Sequence, residues 1–142
     1  MVNLKTLSIE TAKQEELVRI TDEVSAAVKA SGIKSGIAAV ISAHCTTGVM
    51  ANESLPCLEK DILRILAELV PEREDYRHAH YLHSYGACGG NTTGHVKGLL
   101  TGNSVLVPIK DGDLLLGAAQ DIYFCEYDGP QIRTFYIQII GE

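Results

Sequence analysis

Ser104–Ile140 reads SVLVPIKDGDLLLGAAQDIYFCEYDGPQIRTFYIQII, and this stretch decides the fold class. Ser104 to Ile109, Leu114 to Leu116, Ile122 to Tyr127 and Ile132 to Ile140 are rich in β-branched and aromatic residues, the side chains that suit a pleated, half-buried surface. Asp111-Gly112 and Asp128-Gly129 punctuate the run with turn dipeptides, so the expectation is a β-meander. A period of two places Gln120, Ile122, Phe124 and Glu126 on one face and Asp121, Tyr123 and Cys125 on the other. Glu126 and Arg133 are then expected to pair around the Asp128-Gly129-Pro130 turn, at the surface, where an ion pair adds little.

Upstream, the periodicity changes. Leu4 to Ile9 alternates as a strand and Glu16 to Ile20 is a second short extended run. Thr21 then reads as a helix N-cap, followed by the acids Asp22 and Glu23 that favour a helix start. Val24, Ala27 and Val28 form one face of that helix, and Gly32 ends it. Gly36 to Ser42 is a buried strand leading to His44. The next helix has Ser54 as its expected cap and Pro56 in the first turn, with Leu58, Ile62, Ile65 and Leu69 on one face and Pro71 closing it. Asp61 and Glu68 lie on its solvated flanks. Strand, helix, strand, helix and then successive strands is an α+β arrangement, and 142 residues suit one domain over positions 1–142.

Composition narrows the function classes. With 46% hydrophobic and 21% charged residues the chain is ordinary for a globular protein. A net charge of −6 provides no basic field for nucleic acid or an anionic membrane, so neither is an expected partner. An anionic substrate would need a local cluster of donors. No apolar run approaches the roughly 20 residues of a membrane span, and MVNLKTLSIE lacks the apolar core of a secretion signal, so the expected compartment is cytoplasmic. Cys45, Cys57, Cys88 and Cys125 form no C-x-x-C pair and read as reduced thiols, mostly small core residues.

The chemistry concentrates in His83–Lys97, HSYGACGGNTTGHVK. Glycines offer positive φ and bare amides for close approach to an anion, which makes Gly89, Gly90, Asn91, Thr92 and Gly94 the candidate phosphate-binding residues. A flexible surface loop is the competing reading. Gly89 to Gly94 has the spacing of a nucleotide P-loop, yet His95 and Val96 stand where Lys and Ser or Thr are required. That motif is excluded. His44, Thr46 and Thr47 follow a buried strand, where side chains project into clefts, although His44 also suits a plain strand-end hydrogen bond. Asn52 and Glu53 serve equally as helix caps or site lining. Cys45 is badly placed for activation by the adjacent His44, since neighbours on an extended chain point to opposite faces; Cys88, in the glycine loop, is the better thiol candidate. His78, His80, His83 and His95 offer metal ligands or a polar loop with Tyr81 and Tyr85. His44, His83 and His95 are the candidate metal trio for zinc or another divalent ion.

Taken together, His44-Cys45-Thr46-Thr47, Asn52-Glu53, Asp61, His83, Gly94-His95-Val96-Lys97, Pro108, Gly112, Leu116 through Tyr123, Glu126, Asp128-Gly129-Pro130 and Gly141-Glu142 resemble the YjbQ family, which has been called secondary thiamine-phosphate synthase. The resemblance covers essentially the whole chain. It implies a compact α+β domain with a mixed β-sandwich and flanking helices, assembled as a homotrimer, with a polar site near the histidines. The implied reaction joins hydroxymethylpyrimidine diphosphate to thiazole phosphate and releases pyrophosphate. His95, His44, Lys97 and Glu53 are the implied catalytic residues: His95 donates to the leaving group, Lys97 supplies fixed charge, and Mg²⁺ bridges the diphosphate with Glu53 or Asp61. Cys45 stands where the family has Thr or Ser, and Ala119 where it has an aromatic residue. Two alternatives stay open: a metal-dependent hydrolase of a phosphorylated metabolite, and a noncatalytic trimeric binder of one.

Overall fold

The protein is described by a computed structural model covering residues 1–83, 86–87 and 89–142. Its elements are β1 (Val2–Glu10), β2 (Glu16–Arg19), α1 (Thr21–Ser31), β3 (Ser35–Ser42), β4 (Thr47–Glu53), α2 (Pro56–Leu69), β5 (Tyr81–Leu82), β6 (Gly86–Ala87), α3 (Thr92–Thr101), β7 (Ser104–Lys110), β8 (Asp113–Leu114), β9 (Gln120–Glu126) and β10 (Ile132–Gly141). A five-stranded sheet has the order β1-β10-β3-β7-β8, and a three-stranded sheet the order β2-β9-β4. The short pair β5-β6 stands apart.

The α+β class holds, and all strand pairs among the described residues are antiparallel. This corrects the expectation of a mixed sheet. The meander is corrected too. After the β7–β8 hairpin the chain leaves the first sheet, forms the middle of the second as β9, and returns as β10 between β1 and β3. Both faces of β9 carry bulky side chains. Ile122 and Phe124 enter the main core, while Tyr123 and Cys125 pack with Tyr127, Leu63 and Leu66. A strand covered on both faces belongs in the interior of a sheet.

The main core joins the two sheets and α1. Val49, Ile122 and Phe124 of one sheet meet Ala38, Val40, Val107, Phe135, Ile137 and Ile139 of the other, with Val24, Ala27 and Val28 closing one end. The helix starts differ from expectation. Thr21 is already helical, and its hydroxyl donates to Asp121 (2.7 Å) and accepts the Ile122 amide (2.9 Å), tying α1 to β9 rather than capping itself. Leu55, not Ser54, precedes α2, and Pro56 opens the helix. No residue of α2 is fully buried.

α3 is absent from the sequence-based expectation because its glycines argue for a loop. Gly94 and Gly98 lie one turn apart on the same helix face. A Cβ at Gly98 would stand 2.9 Å from the Thr47 carbonyl oxygen and 3.0 Å from that of Cys45. One at Gly94 would stand 3.0 Å from the Tyr127 carbonyl oxygen. Gly98 therefore lets the helix rest on the backbone where the chain passes from β3 to β4, and Gly94 lets it rest on the Tyr127 carbonyl just after β9.

Candidate functional site

Residues 43–46 carry the chain from the five-stranded sheet to the three-stranded one. Short hydroxyl side chains fasten this link. The Ser42 hydroxyl accepts the His44 amide (3.3 Å), and the Thr47 hydroxyl donates to the His44 carbonyl (2.8 Å). Ser42 and Thr47 also bond to each other. Ser and Thr readily bond nearby backbone groups in this way, which presents His44 at the rim.

The His44 ring is held by its own turn. Nδ1 receives the Thr46 amide (3.1 Å) and lies 2.9 Å from the Thr46 hydroxyl. The basicity of this imidazole is lowered from the ordinary 6.5, first by burial and then by the positive charge of Arg133, with Glu126 and Asp128 acting in the opposite direction. Arg133 donates to Glu126 through Nε and Nη2, both at 2.7 Å, and from Nη2 to the Thr46 hydroxyl (3.1 Å) and the Asp128 carbonyl (3.2 Å). Glu126 is 0% and Arg133 5% exposed. This corrects the surface-pair expectation: β9 and β10 lie in different sheets, so the pair bridges them inside the protein.

On the facing wall, α3 presents His95. The His78 ring meets it edge-on with centroids 4.9 Å apart. His78 Nε2 lies 3.0 Å from Asn91 Oδ1, and Asn91 Nδ2 donates to Asp128 (2.9 Å). His44, Cys45, Thr47, His95, Gly98 and Asn103 line a cleft of about 600 Å³ together with Ala43 and Gly102. Its two imidazoles, exposed thiol and hydroxyl rim suit hydrogen bonding to the oxygens of a small polar molecule.

The structure thus brings together His44 and His95 but separates the other expected catalytic residues. Lys97, only 1% exposed, turns away to an ion pair with Glu15 and lies 3.9 Å from Glu72. Glu53 sits six residues beyond Thr47 on β4, about 20 Å along the strand. Among the phosphate-binding candidates, Gly89 has positive φ and Gly90 has open space beside it, Asn91 precedes the helix, and Thr92 opens it. The Thr92 hydroxyl is buried with no partner among the described residues. Gly94 lies inside the helix, where it serves packing.

Glu53 and the exposed Asp61, which lies near Arg64, do not line the cleft, so they offer Mg²⁺ no shared site there. His83 is exposed, and no group of three or more His, Cys, Asp or Glu side chains among the described residues is placed to hold a metal ion. Of the described cysteines only Cys125 is buried, with its thiol pushed up to about 12 by burial; Cys45 and Cys57 are exposed, contrary to the core expectation. Cys88 lies outside the described residues, as do Ser84 and Tyr85.

Sequence reasoning undervalued Thr46 and Arg133. The available signal was an arginine among inward-facing Phe135, Ile137 and Ile139, at a period that places it in the core. The fold and site define a class: antiparallel α+β proteins with a two-histidine cleft at the junction of two sheets. Residues 5–142 match the family described as UPF0047 protein YjbQ-like, and the chain belongs to it. The UPF0047 protein YugU of Bacillus subtilis is 43% identical over 140 residues, covering 97% of this chain and 99% of that protein. A UPF0047 protein of Methanocaldococcus jannaschii is 40% identical over 135 residues, covering 94% and 91%. The crystal structure of a YbjQ-like protein of unknown function from Sulfolobus solfataricus superimposes with a TM-score of 0.91 at 33% identity, covering 100% and 99% of the two chains. No helix among the described residues is long and apolar enough to cross a membrane.

Proposed function

We propose that the cleft binds the phosphorylated end of a small metabolite and that the protein is a transferase of the secondary thiamine-phosphate synthase type. The observation that carries this reading is the pair His44 and His95 on opposite walls of one cleft, with His44 Nδ1 already engaged by Thr46. The thiazole nitrogen of the second substrate attacks the methylene carbon of the pyrimidine diphosphate and forms a C–N bond. The C–O bond breaks, and its electron pair leaves with pyrophosphate. Hydrogen bonds aimed at the departing oxygens stabilise the charge that develops there. His44 Nε2–H supplies one, and His95 donates to the leaving group. Thr92, whose buried hydroxyl has no partner among the described residues, opens α3, and the N-terminal turn of a helix favours an anion.

We propose further that the chain assembles as a homotrimer through the outer face of the five-stranded sheet. Leu4, Ile37, Leu106, Tyr136 and Ile140 are exposed on that face, and Ile37 lies opposite both Ile140 and Pro108 in the strand registers. Contiguous apolar surface of this kind supports burial against another copy. Leu106→Glu is expected to yield monomers by sedimentation; an unchanged oligomer would exclude this face.

The activity test combines the protein with both thiamine precursors, with magnesium supplied as the counter-ion of the diphosphate. Thiamine phosphate and pyrophosphate are measured for wild type and His95→Ala. Equal amounts of the two products, lost in the variant, support the transferase. Phosphate release without coupling favours a hydrolase, and saturable binding without turnover favours the binder; either result refutes the synthase reading.

A further inference from the structure

We propose that Arg133 is a positioning residue for the cleft: by turning the Thr46 hydroxyl proton toward His44 Nδ1 it reinforces the Thr46 amide in holding His44 as an Nε2–H donor, so the group His44 meets is an acceptor oxygen of an oxyanion. Only the word oxyanion rests on the function proposed above. The assignment of the donor follows from the hydrogen bonds alone.

A guanidinium has no acceptor, so the contact from Arg133 Nη2 to Thr46 Oγ1 at 3.1 Å runs in one direction. It occupies a lone pair of the hydroxyl and leaves the hydroxyl proton to point elsewhere. The partner at 2.9 Å is His44 Nδ1, which also receives the Thr46 amide at 3.1 Å. An amide cannot accept a bond from an N–H on that nitrogen. Nδ1 is therefore the bare nitrogen, and the proton of the neutral ring resides on Nε2. His44 in this state cannot act as a base through Nε2. It can donate.

The arginine itself has little freedom. Glu126 grips its fork at two points of 2.7 Å, and the same Nη2 reaches the Asp128 carbonyl at 3.2 Å. Planar two-point pairing fixes orientation as well as distance. Asp128 in turn receives Asn91 at the start of α3. One buried guanidinium thus touches groups leading to both walls, with the His44 wall reached through a single hydroxyl. Thr46, 0% exposed, has no alternative solvent partner.

The test reads the ring directly. In ¹⁵N-labelled wild type above the titration range, His44 is expected to show a pyridine-like Nδ1 and a pyrrole-like Nε2. Thr46→Val removes the hydroxyl at nearly constant volume but keeps the amide on Nδ1, so it is expected to reveal a measurable minor population of the Nδ1–H tautomer that wild type lacks, with Thr46→Ser restoring the wild-type pattern. Arg133→Ala alone strands a buried Glu126 and risks unfolding. The paired change Glu126→Leu with Arg133→Met removes both charges and is expected to raise the same minor population. Added inorganic pyrophosphate is expected to shift the Nε2 signal in wild type and at least threefold less, at equal concentration, in Thr46→Val. A wild type with mixed tautomers, a folded paired variant with unchanged His44 signals, or a clear pyrophosphate shift of equal size in wild type and Thr46→Val would each overturn the proposal, whereas no shift in wild type overturns only the oxyanion as the group His44 meets. These readings need no turnover, so a protein lacking synthase activity but giving the expected spectra refutes the activity while the positioning role stands.

Discussion

Replacing Gly98 with alanine separates two accounts of the glycines in α3 by the sign of the effect. On helix propensity alone, Gly→Ala stabilises by about 1 kcal/mol. Against this, the new Cβ would stand 2.9 Å from the Thr47 carbonyl oxygen and 3.0 Å from that of Cys45. Both are backbone atoms that cannot swing aside as a flexible side chain does. To reach an ordinary separation the helix must lift by about 0.5 Å, and overpacking of this kind costs about 1–3 kcal/mol. Because two backbone oxygens are involved the upper half of that range applies, and the net expectation is a loss of about 1–2 kcal/mol. Urea unfolding measures it as a lower midpoint at unchanged slope. Gly94→Ala has the same sign and a smaller size, since its closest neighbour is at 3.0 Å and two others at 3.3 Å are side-chain atoms. Gly90→Ala meets nothing within 4 Å and serves as the control. A Gly98→Ala protein as stable as wild type, or more stable, would refute the argument that this glycine exists for helix contact.

Three other outcomes are expected. Arg133→Ala destabilises by about 3–5 kcal/mol because it leaves the buried Glu126 charge unpaired, whereas Glu126→Leu with Arg133→Met loses far less; the comparison is made by urea unfolding, and equal losses would contradict it. A thiol reagent modifies Cys45 and Cys57 in the native protein, while Cys125 reacts only on unfolding; peptide mass spectrometry reads the order, and early labelling of Cys125 would contradict the burial. His44 has its proton affinity lowered in the folded state, so its neutral form persists as pH falls to the unfolded value of 6.5 and is lost only below it. Its stability contribution is present above 6.5 and lost as pH falls through the lower folded value, and the ring titration followed by NMR is centred below 6.5; a midpoint above 6.5 would show that the folded site favours the charged ring.

The class of fold was legible because the apolar runs of the C-terminal half have the period of strands, and α1 and α2 have recognisable apolar faces. The partition into two sheets was not. Nothing local in β9 or β10 records that consecutive strands separated by Asp128-Gly129-Pro130 leave one another; the two-faced covering of Tyr123 and Phe124 that places β9 centrally arises from segments far away in the chain. α3 was hidden because Gly94 and Gly98 reduce helix propensity locally while gaining a close contact that only the tertiary arrangement supplies. His44 and His95 could be selected as polar groups at a strand end and in a glycine-rich run. That Lys97 turns to Glu15, and that Arg133 lies inside, depends on which neighbours surround each long side chain.

The Glu126–Arg133 bridge also bears on temperature. Withdrawing a charge from water becomes less costly as water warms, because ionic hydration carries a strongly negative entropy, while the stabilisation per unit of buried apolar area levels off. On heating, the clasp between the two sheets therefore weakens less than the apolar contacts around it. The linkage beneath the histidine cleft supplies a growing share of what holds the sheets together as the melting point approaches.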